Sequence, residues 1–370
     1  MRSASGHKST PAPVPACPFG WFRADSRSGG ACGWFDGGVD LSLESLTSVL
    51  DQADHRVRAG SHSAWRVWPT GFDPLDQSLS GGFRSGELVL FGGPQGLGKT
   101  TWVMQVARNV VRSGRPVVMF SYEHDLQTLL IRLVALEAGQ LGGISGPSIN
   151  RIRSTFEADD GLTGSLMDRL ADTEGGVEAL EIVQEYGDRL MLHRSTGTGT
   201  GIAEISDAIS QIKEKTGESP LAIVDYLQKV HVPHTNDETE RVTSVVEGLK
   251  DLALDHDCPI LAVVASDKDG LESGKRMRVS NLRGSSALAY EADTVLLLNN
   301  KYDVVARHHL VYSTGNVEKF KNWAVLTVEK NRSGRTGVDM EFLKRFDQCR
   351  FETTGRQVTE QLVDERVFRE

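Results

Sequence analysis

The sequence predicts an α/β protein with a mainly parallel, twisted sheet and helices on both faces. Short apolar runs alternate with helical patterns from about residue 65 to the end, which is typical of this class. A glycine-rich phosphate-loop motif joins one of these runs to a helix. No run of about 18 apolar residues occurs and residues 1–17 lack an apolar core, so we expect no membrane span, no signal peptide and a cytoplasmic location.

The composition allows one large domain with an appendage. The chain has 370 residues, of which 39% are hydrophobic and 25% are charged, as in ordinary globular proteins. Its net charge of −9 excludes a wholly basic nucleic-acid coat protein. Residues 155–188 hold ten acids and one base and so account for that charge. We interpret this segment as solvated helices on the outer surface, with a partner-binding acidic face as the alternative.

The N-terminal region is predicted to differ from the rest. Residues 1–40 are rich in proline and glycine without periodicity, which indicates a disordered tail. Residues 41–64 are predicted to form a helix and a linker, with Ser42 or Ser45 as the helix cap. The four cysteines are too few for a disulfide framework, although Cys17 and Cys32 could form half of a zinc site.

Seven strands are predicted in the remaining chain. They cover residues 88–91, 117–120, 190–192, 221–224, 260–264, 294–298 and 324–328. Helical patterns lie between several of them, so the strands are expected to run parallel with helices as crossovers. Ligands bind outside the carboxyl ends of the strands in such sheets.

The segment from Gly93 to Thr100, GPQGLGKT, fits the phosphate-loop pattern G-x-x-x-x-G-K-[ST]. It follows the strand ELVLF and opens the helix TTWVMQVARNVV, which is the context that the motif requires. Backbone N–H groups of such a loop surround phosphate oxygens, and the helix N-terminus adds its positive dipole end. The predicted nucleotide-binding residues are Gly93, Gln95, Gly96, Gly98, Lys99, Thr100 and Thr101.

Two carboxylates are predicted to face this loop. Asp225 ends the apolar strand LAIVD and would hold Mg²⁺ together with the Thr100 hydroxyl. Glu123 follows the strand PVVMF and would polarise the attacking water, with His124 and Asp125 as competing candidates. These residues therefore predict a nucleoside triphosphate and Mg²⁺ as cofactors.

These motifs together resemble the RecA-like motor domain of DnaB-type hexameric replicative helicases. The similarity runs from about Trp68 to Phe351 and includes the segments TGFDPLDQSLSGG, LAIVDYLQ, NLRGSS, VEKNRSGRTG and EFLKRFDQCRF. The resemblance implies a RecA-like ATPase domain over residues 65–370, with the helix of residues 41–64 in the place of the family's linker helix. The family's N-terminal collar domain, which recruits primase, has no counterpart in this sequence.

The resemblance also implies residue roles. Lys99 is the phosphate-loop lysine, Asp225 the Walker B acid and Glu123 the water-activating glutamate. Lys330 and Arg332 match the pair that family members project into the neighbouring subunit's ATP site.

A basic segment matches the family's DNA-binding loop in the central channel. Arg283 corresponds to the arginine that holds DNA phosphates, next to Gly284 and Ser286. Lys275, Arg276 and Arg278 precede it, so we expect all six residues to contact single-stranded DNA.

Two residues depart from the family pattern. Ala265 stands where the family has a glutamine that senses the γ-phosphate, and Gly284 stands where it has a glutamate. The predicted function is an ATP-driven ring translocase or helicase on single-stranded DNA. It is expected to be a homo-oligomer, a hexamer by resemblance, with an unidentified primase or loader. A nucleotide-switched scaffold and a RecA/RadA-like recombination factor are the alternatives.

Overall fold

Before residue 59, the residues that the structure describes form one helix. The computed structural model describes residues 43–59, 67–157, 164–233, 235, 237–267, 275–284, 286–311 and 314–365, and the chain divides into two units, residues 1–58 and 59–370. Helix α1 (Leu46–Arg58) begins after Ser45, whose Oγ accepts a hydrogen bond from the Ser48 N–H at 3.1 Å. Ser45 is therefore the cap. The tail of residues 1–40, Ser42, Cys17 and Cys32 lie outside the described residues.

The second unit is built on a ten-stranded sheet. A separate antiparallel pair, β1 (Val67–Trp68) and β2 (Phe83–Arg84), flanks α2 (Asp73–Ser78). The strands of the large sheet are β3 (Leu88–Gly92), β4 (Val117–Ser121), β5 (Leu190–Arg194), β6 (Leu221–Asp225), β7 (Ile260–Val264), β8 (Thr294–Asn300), β9 (Trp323–Asn331), β10 (Val338–Arg345), β11 (Arg350–Phe351) and β12 (Arg356–Gln357). All seven predicted strands are confirmed.

The sheet is parallel at its centre and antiparallel at one end. Its order is β11-β10-β9-β8-β3-β7-β6-β4-β5, with β12 also paired to β10. The six strands from β8 to β5 in this order are mutually parallel, and β9 to β12 pair antiparallel. Strands β3, β4, β6 and β7 are buried along their whole length, which explains their continuous apolar sequences. The prediction of a mainly parallel sheet is confirmed.

Helices cover both faces of the sheet. They are α3 (Lys99–Arg112), α4 (Leu126–Gly142), α5 (Ile149–Glu157), α6 (Leu166–Leu170), α7 (Gly176–Gly187), α8 (Ile202–Thr216), α9 (Glu238–Asp255), α10 (Ala287–Glu291), α11 (Lys301–Val304), α12 (His308–Val311) and α13 (Thr314–Lys321). Helices α3, α4 and α7 bury one core with alternate residues of β3, such as Phe91. Helices α8 and α9 bury the second core with the other residues of β3, such as Leu90. This alternation is the two-residue period of a strand that is covered on both sides.

The acidic segment lies on the surface. Each acidic side chain that the structure describes between residues 155 and 188 is exposed, while Leu180 and Val183 of α7 point into the core. This agrees with the solvated interpretation. By length and composition, the segment Leu126–Ser145 could cross a membrane, but half of its apolar window is buried in the fold, as in the core helix of a globular protein.

Candidate functional site

The phosphate loop connects β3 to α3 at the carboxyl edge of the parallel strands. Its last glycine, Gly98, has φ = +83° and immediately precedes the helix. A Cβ atom at this position would lie 2.7 Å from the Phe346 ring, so both the backbone angle and the neighbouring aromatic require glycine. The loop therefore directs the N-terminus of α3 toward a cavity of about 650 Å³.

Lys99 is the first residue of α3 and lines this cavity. Its Nζ donates hydrogen bonds to the carbonyl oxygens of Gly93 at 2.7 Å and Pro94 at 3.0 Å. Burial lowers the pKa of Lys99, and the nearby Asp225 and Glu123 carboxylates oppose that shift. The ammonium group is thus held over the phosphate loop, where an anion would pair with it.

Thr100 and Asp225 meet at the end of β6. The Thr100 hydroxyl donates to Asp225 Oδ2 at 2.8 Å. Burial raises the pKa of Asp225 to about 6, against the opposing effect of the Thr100 hydrogen bond. A hydroxyl and a carboxylate are hard oxygen ligands of the kind that Mg²⁺ prefers, so these two residues fit the predicted metal.

Glu123 follows β4 and lines the same cavity, together with Gln95, Gly96, Gly98 and Thr101. Of its two competitors, Asp125 caps helix α4, accepting from the N–H of Thr128 at 2.8 Å and from its hydroxyl at 2.7 Å. His124 also lines the cavity, and burial lowers the pKa of its imidazole. The arrangement thus brings Glu123 to the phosphate loop and gives Asp125 a structural role.

Sequence reasoning missed two features of the cavity. Arg132 of α4 lines it, and its Nε is buried without a hydrogen-bond partner in the described structure. Phe346, Ile149 and Cys349 form an apolar part of the wall. The sequence signal for Arg132 was its position as the single basic residue within the apolar helix LLIRLVALEA. The apolar wall had no such signal, because its members come from distant parts of the chain.

Lys330 and Arg332 lie at the opposite edge of the sheet. Asn331, at the end of β9, pairs with Thr294, the first residue of β8, and β8 is parallel to β3. A five-residue parallel strand such as β3 spans roughly 16 Å. The two cations are therefore separated from the phosphate loop of their own chain by the height of the sheet.

This pair is anchored to the segment around α10. Lys330 Nζ donates to the carbonyl oxygens of Ala289 at 2.7 Å and Tyr290 at 3.1 Å. Arg332 binds the Tyr290 carbonyl and pairs with Asp293 at 3.2 Å. Both side chains are thus held near the surface at an edge that carries no phosphate loop.

The basic segment divides into two groups. Arg283, Gly284 and Ser286 are exposed, and the Arg283 N–H donates to the carbonyl oxygen of Ala265, just after the carboxyl end of β7. Arg276 is only 8% exposed and binds Asp339 and Thr327 Oγ1, so the expectation that it is free to contact DNA is not met. Arg278 pairs with Glu329 at 3.1 Å and with Asp364.

Lys275 forms an isolated antiparallel bridge with Glu365. The residues from 275 to 278 therefore attach this segment to the sheet and the C-terminal region.

The arrangement of a phosphate loop, a buried acid after β6 and a glutamate after β4 agrees with a family-wide sequence comparison. The DnaB-like helicase C terminal domain matches residues 68–352. This chain belongs to that family. The matched residues 68–352 cover nearly all of the second unit.

Individual relatives of the DnaB-like chain are distant in sequence. The replicative DNA helicase DnaB of Pasteurella multocida is 24% identical over 318 residues, which cover 84% of this chain and 61% of the relative. The replicative DNA helicase DnaC of Bacillus subtilis is 23% identical over 288 residues, covering 76% and 55%. The DnaB-like chain thus spans about three fifths of the length of these relatives.

Two solved structures share the fold. One of them, an ATPase domain, superposes with a TM-score of 0.64 at 20% identity, covering 83% of this chain and 98% of that one. The other, a DnaB-like replicative helicase described with its interactions with primase, gives a TM-score of 0.62 at 19% identity, covering 83% and 67%. The RecA-like fold is therefore confirmed.

Proposed function

We propose that this protein is an ATP-driven DNA helicase or translocase that acts as a ring on single-stranded DNA and hydrolyses ATP between subunits. The observation that carries the proposal is the position of Lys330 and Arg332 at the edge of the sheet opposite the phosphate loop. Neither cation can serve its own chain's phosphates, so a second copy has to supply them. Head-to-tail contact of this kind closes into a ring when the rotation permits, and the family resemblance favours six members.

Within one subunit, the phosphate loop binds ATP. Backbone N–H groups of Gly96 and Gly98 surround the phosphates, and Lys99 exchanges its two carbonyl partners for the β- and γ-phosphates. Thr100 and Asp225 hold Mg²⁺, which neutralises phosphate charge. Glu123 orients the attacking water and accepts its proton. Arg132, whose Nε is unpartnered in the described structure, stabilises charge on the transferred phosphoryl group.

The neighbouring subunit completes the site. Lys330 and Arg332 approach the γ-phosphate from the opposite side, so the transition-state charge is neutralised only when the two subunits are seated against each other. The role of Arg283, Gly284 and Ser286 is to hold single-stranded DNA by its phosphates, without reading sequence. From its relation to replicative helicases, we expect the protein to act in the cytoplasm with a primase or loader as partner.

The test mixes two inactive variants. Lys99→Ala removes the phosphate-loop cation and Arg332→Ala removes the cation supplied in trans, so each variant alone should lack ATP turnover. In a random one-to-one mixture, about one interface in four pairs an intact Lys99 with an intact Arg332 in a head-to-tail assembly. Turnover near a quarter of the wild-type rate, stimulated by single-stranded DNA, supports the proposal.

Two results would count against it. A mixture as inactive as its components would show that Arg332 does not act in trans. Restored turnover that is the same with and without single-stranded DNA would indicate a nucleotide-switched scaffold in place of a DNA motor.

A further inference from the structure

A second cleft of about 650 Å³ lies beside the nucleotide cavity at the carboxyl edge of the sheet. The two cavities share Tyr226, Ala265 and Arg283 in their walls. The second cleft is also lined by Lys229, Arg241 and a single carboxylate, Glu238, at the start of α9. Three permanent cations around one carboxylate leave the described lining positively charged.

The Glu238 carboxylate forms an ion pair with one of these cations, Arg283. Glu238 and Arg283 form a bidentate pair, with Nε to Oε1 at 2.7 Å and Nη2 to Oε2 at 3.1 Å. The two side chains are 39% and 56% exposed, and ion pairs this exposed contribute little to folding stability. A carboxylate in this geometry matches two oxygens of a phosphate, because both anions accept the parallel N–H groups of the guanidinium.

Arg241 lies three residues after Glu238 in α9, so the two side chains share one face of the helix. Its Nε is buried and has no hydrogen-bond partner in the described structure. An unpaired guanidinium N–H costs free energy, which an anion in the cleft would recover. Arg241 and Arg283 thus line one cleft from different parts of the chain. Of these two arginines, Arg283 is the one that pairs with Glu238.

We propose that this cleft binds a phosphodiester of single-stranded nucleic acid between Arg241 and Arg283, and that Glu238 competes with that phosphate for Arg283. The inference deepens the proposed function and rests on it, since it adds Arg241 and Glu238 to the nucleic-acid path. When the strand enters, one of its phosphates displaces the Glu238 carboxylate. Glu238 thereby lowers the affinity of the cleft for the strand.

The experiment measures binding of the full-length protein to a fluorescein-labelled oligo-dT by anisotropy, at several salt concentrations and with a non-hydrolysable ATP analogue. Arg241→Gln should weaken binding about tenfold and reduce the salt slope by about 0.7, the value for one lost phosphate contact on a single strand. Glu238→Gln should tighten binding about threefold, because Arg283 loses its competing carboxylate. Lys215→Gln, an exposed charge at the end of α8, is the matched control and should bind as wild type.

Each outcome is decisive. Wild-type affinity and slope in both Arg241→Gln and Glu238→Gln would overturn the inference, while a wild-type protein that turns over ATP but does not bind oligo-dT would overturn the proposed function itself. Free inorganic phosphate at millimolar concentration that displaces oligo-dT would show that the cleft serves a mononucleotide or free phosphate instead. If Arg241→Gln does not fold, the Glu238→Gln result still decides.

Discussion

Asp225 is a buried carboxylate whose surroundings oppose its charge. Its pKa is raised to about 6 in the folded protein from an ordinary value of 3.8, because burial outweighs the Thr100 hydrogen bond. A carboxylate with a raised pKa makes the folded state less stable as pH rises from about 4 to about 6, and the loss persists above that range. The protein therefore keeps a destabilising charge at the position that we propose as a ligand of Mg²⁺.

The neutral variant Asp225→Asn should be more stable than wild type at pH 8 in the absence of Mg²⁺ and nucleotide. The expected gain is about 2 to 3 kcal/mol, from about 1.4 kcal/mol for each unit of pKa. The gain should shrink as pH falls toward 4, where the wild-type carboxyl is protonated. Urea unfolding at pH 5 and pH 8 measures it, and a difference that is independent of pH would contradict the assignment. ATP turnover should be lost at both pH values.

Phe346 is an aromatic ring at the apolar wall of the nucleotide cavity. It is 37% exposed, it lies against Gly98, and it makes an edge contact with Phe351 at 5.4 Å. A partly exposed ring that is supported in this way suits stacking with a base, which is worth about 1 to 3 kcal/mol. We therefore expect the nucleotide base to lie against this wall, a position that the phosphate-loop motif does not specify.

Phe346→Leu should raise the KM for ATP about tenfold, because leucine fills the space without a ring. Phe346→Tyr is the matched control and should keep the wild-type KM. Steady-state turnover at varied ATP concentration measures both. Equal KM values in the two variants would show that the ring does not contact the base.

At the scale of elements, Gln228 binds the backbone of Arg283 and Ala265, two residues that line both cavities. It is buried after β6, and its amide donates to the Arg283 carbonyl at 2.8 Å and accepts from the Ala265 N–H at 3.1 Å. The Arg283 N–H also donates to the Ala265 carbonyl at 2.9 Å. Ala265 has no functional group that could bind a phosphate, so the backbone that Gln228 holds is what joins Ala265 to Arg283, and both of these residues line both cavities.

Gln228→Ala should lower the ratio of DNA-stimulated to DNA-free ATP turnover several-fold. The physical reason is that the Arg283 carbonyl and the Ala265 N–H lose their shared amide, which leaves one direct backbone hydrogen bond between the two residues. Gln211→Ala, an exposed glutamine on α8, is the control. An unchanged ratio in Gln228→Ala would place the coupling elsewhere.

The sequence predicted the elements that depend on local pattern. Strands β3, β4, β6 and β7 are continuous apolar runs, and Gly98, Lys99 and Thr100 are fixed by a contiguous motif, so both were accessible without a structure. Strand β10 escaped notice because its buried residues Met340, Glu341 and Phe342 include a charged one, which interrupts the apolar pattern, and because its partner β9 supplies part of its environment. Arg276 resembled an exposed basic residue because Asp339, which buries it, is 63 residues away. Long-range pairs of this kind have no signal in the local sequence.

At the scale of the whole molecule, charge is unevenly distributed. Residues 155–188 carry the net −9, whereas residues 274–335 hold eleven bases and five acids. The described acidic side chains of residues 155–188 are exposed on and next to α5, α6 and α7. The basic stretch of residues 274–335 includes Arg283, Lys330 and Arg332. Acidic overall composition is thus compatible with a phosphate-binding face.

ATP turnover per chain should depend on protein concentration, because in the proposed assembly a second chain completes each site. As the protein concentration rises and the assembly forms, the ATP turnover per chain is expected to rise steeply and then level off. Arg332→Ala subunits added to wild type should lower the turnover of the mixed assembly. A dilution series of turnover, paired with sedimentation, checks this. Turnover per chain that stays constant through dissociation would contradict the requirement for a second copy.

The separation of the phosphate loop from Lys330 and Arg332 has a consequence for counting active sites. In the proposed assembly, an isolated chain carries two unlike halves of a site and no complete site, and an open row of subunits has one site fewer than it has members. Closing the row creates the last site from the two unmatched ends. The number of working catalytic centres therefore reports whether the ring is open or shut, and a strand that enters through a gap meets an assembly with one centre switched off.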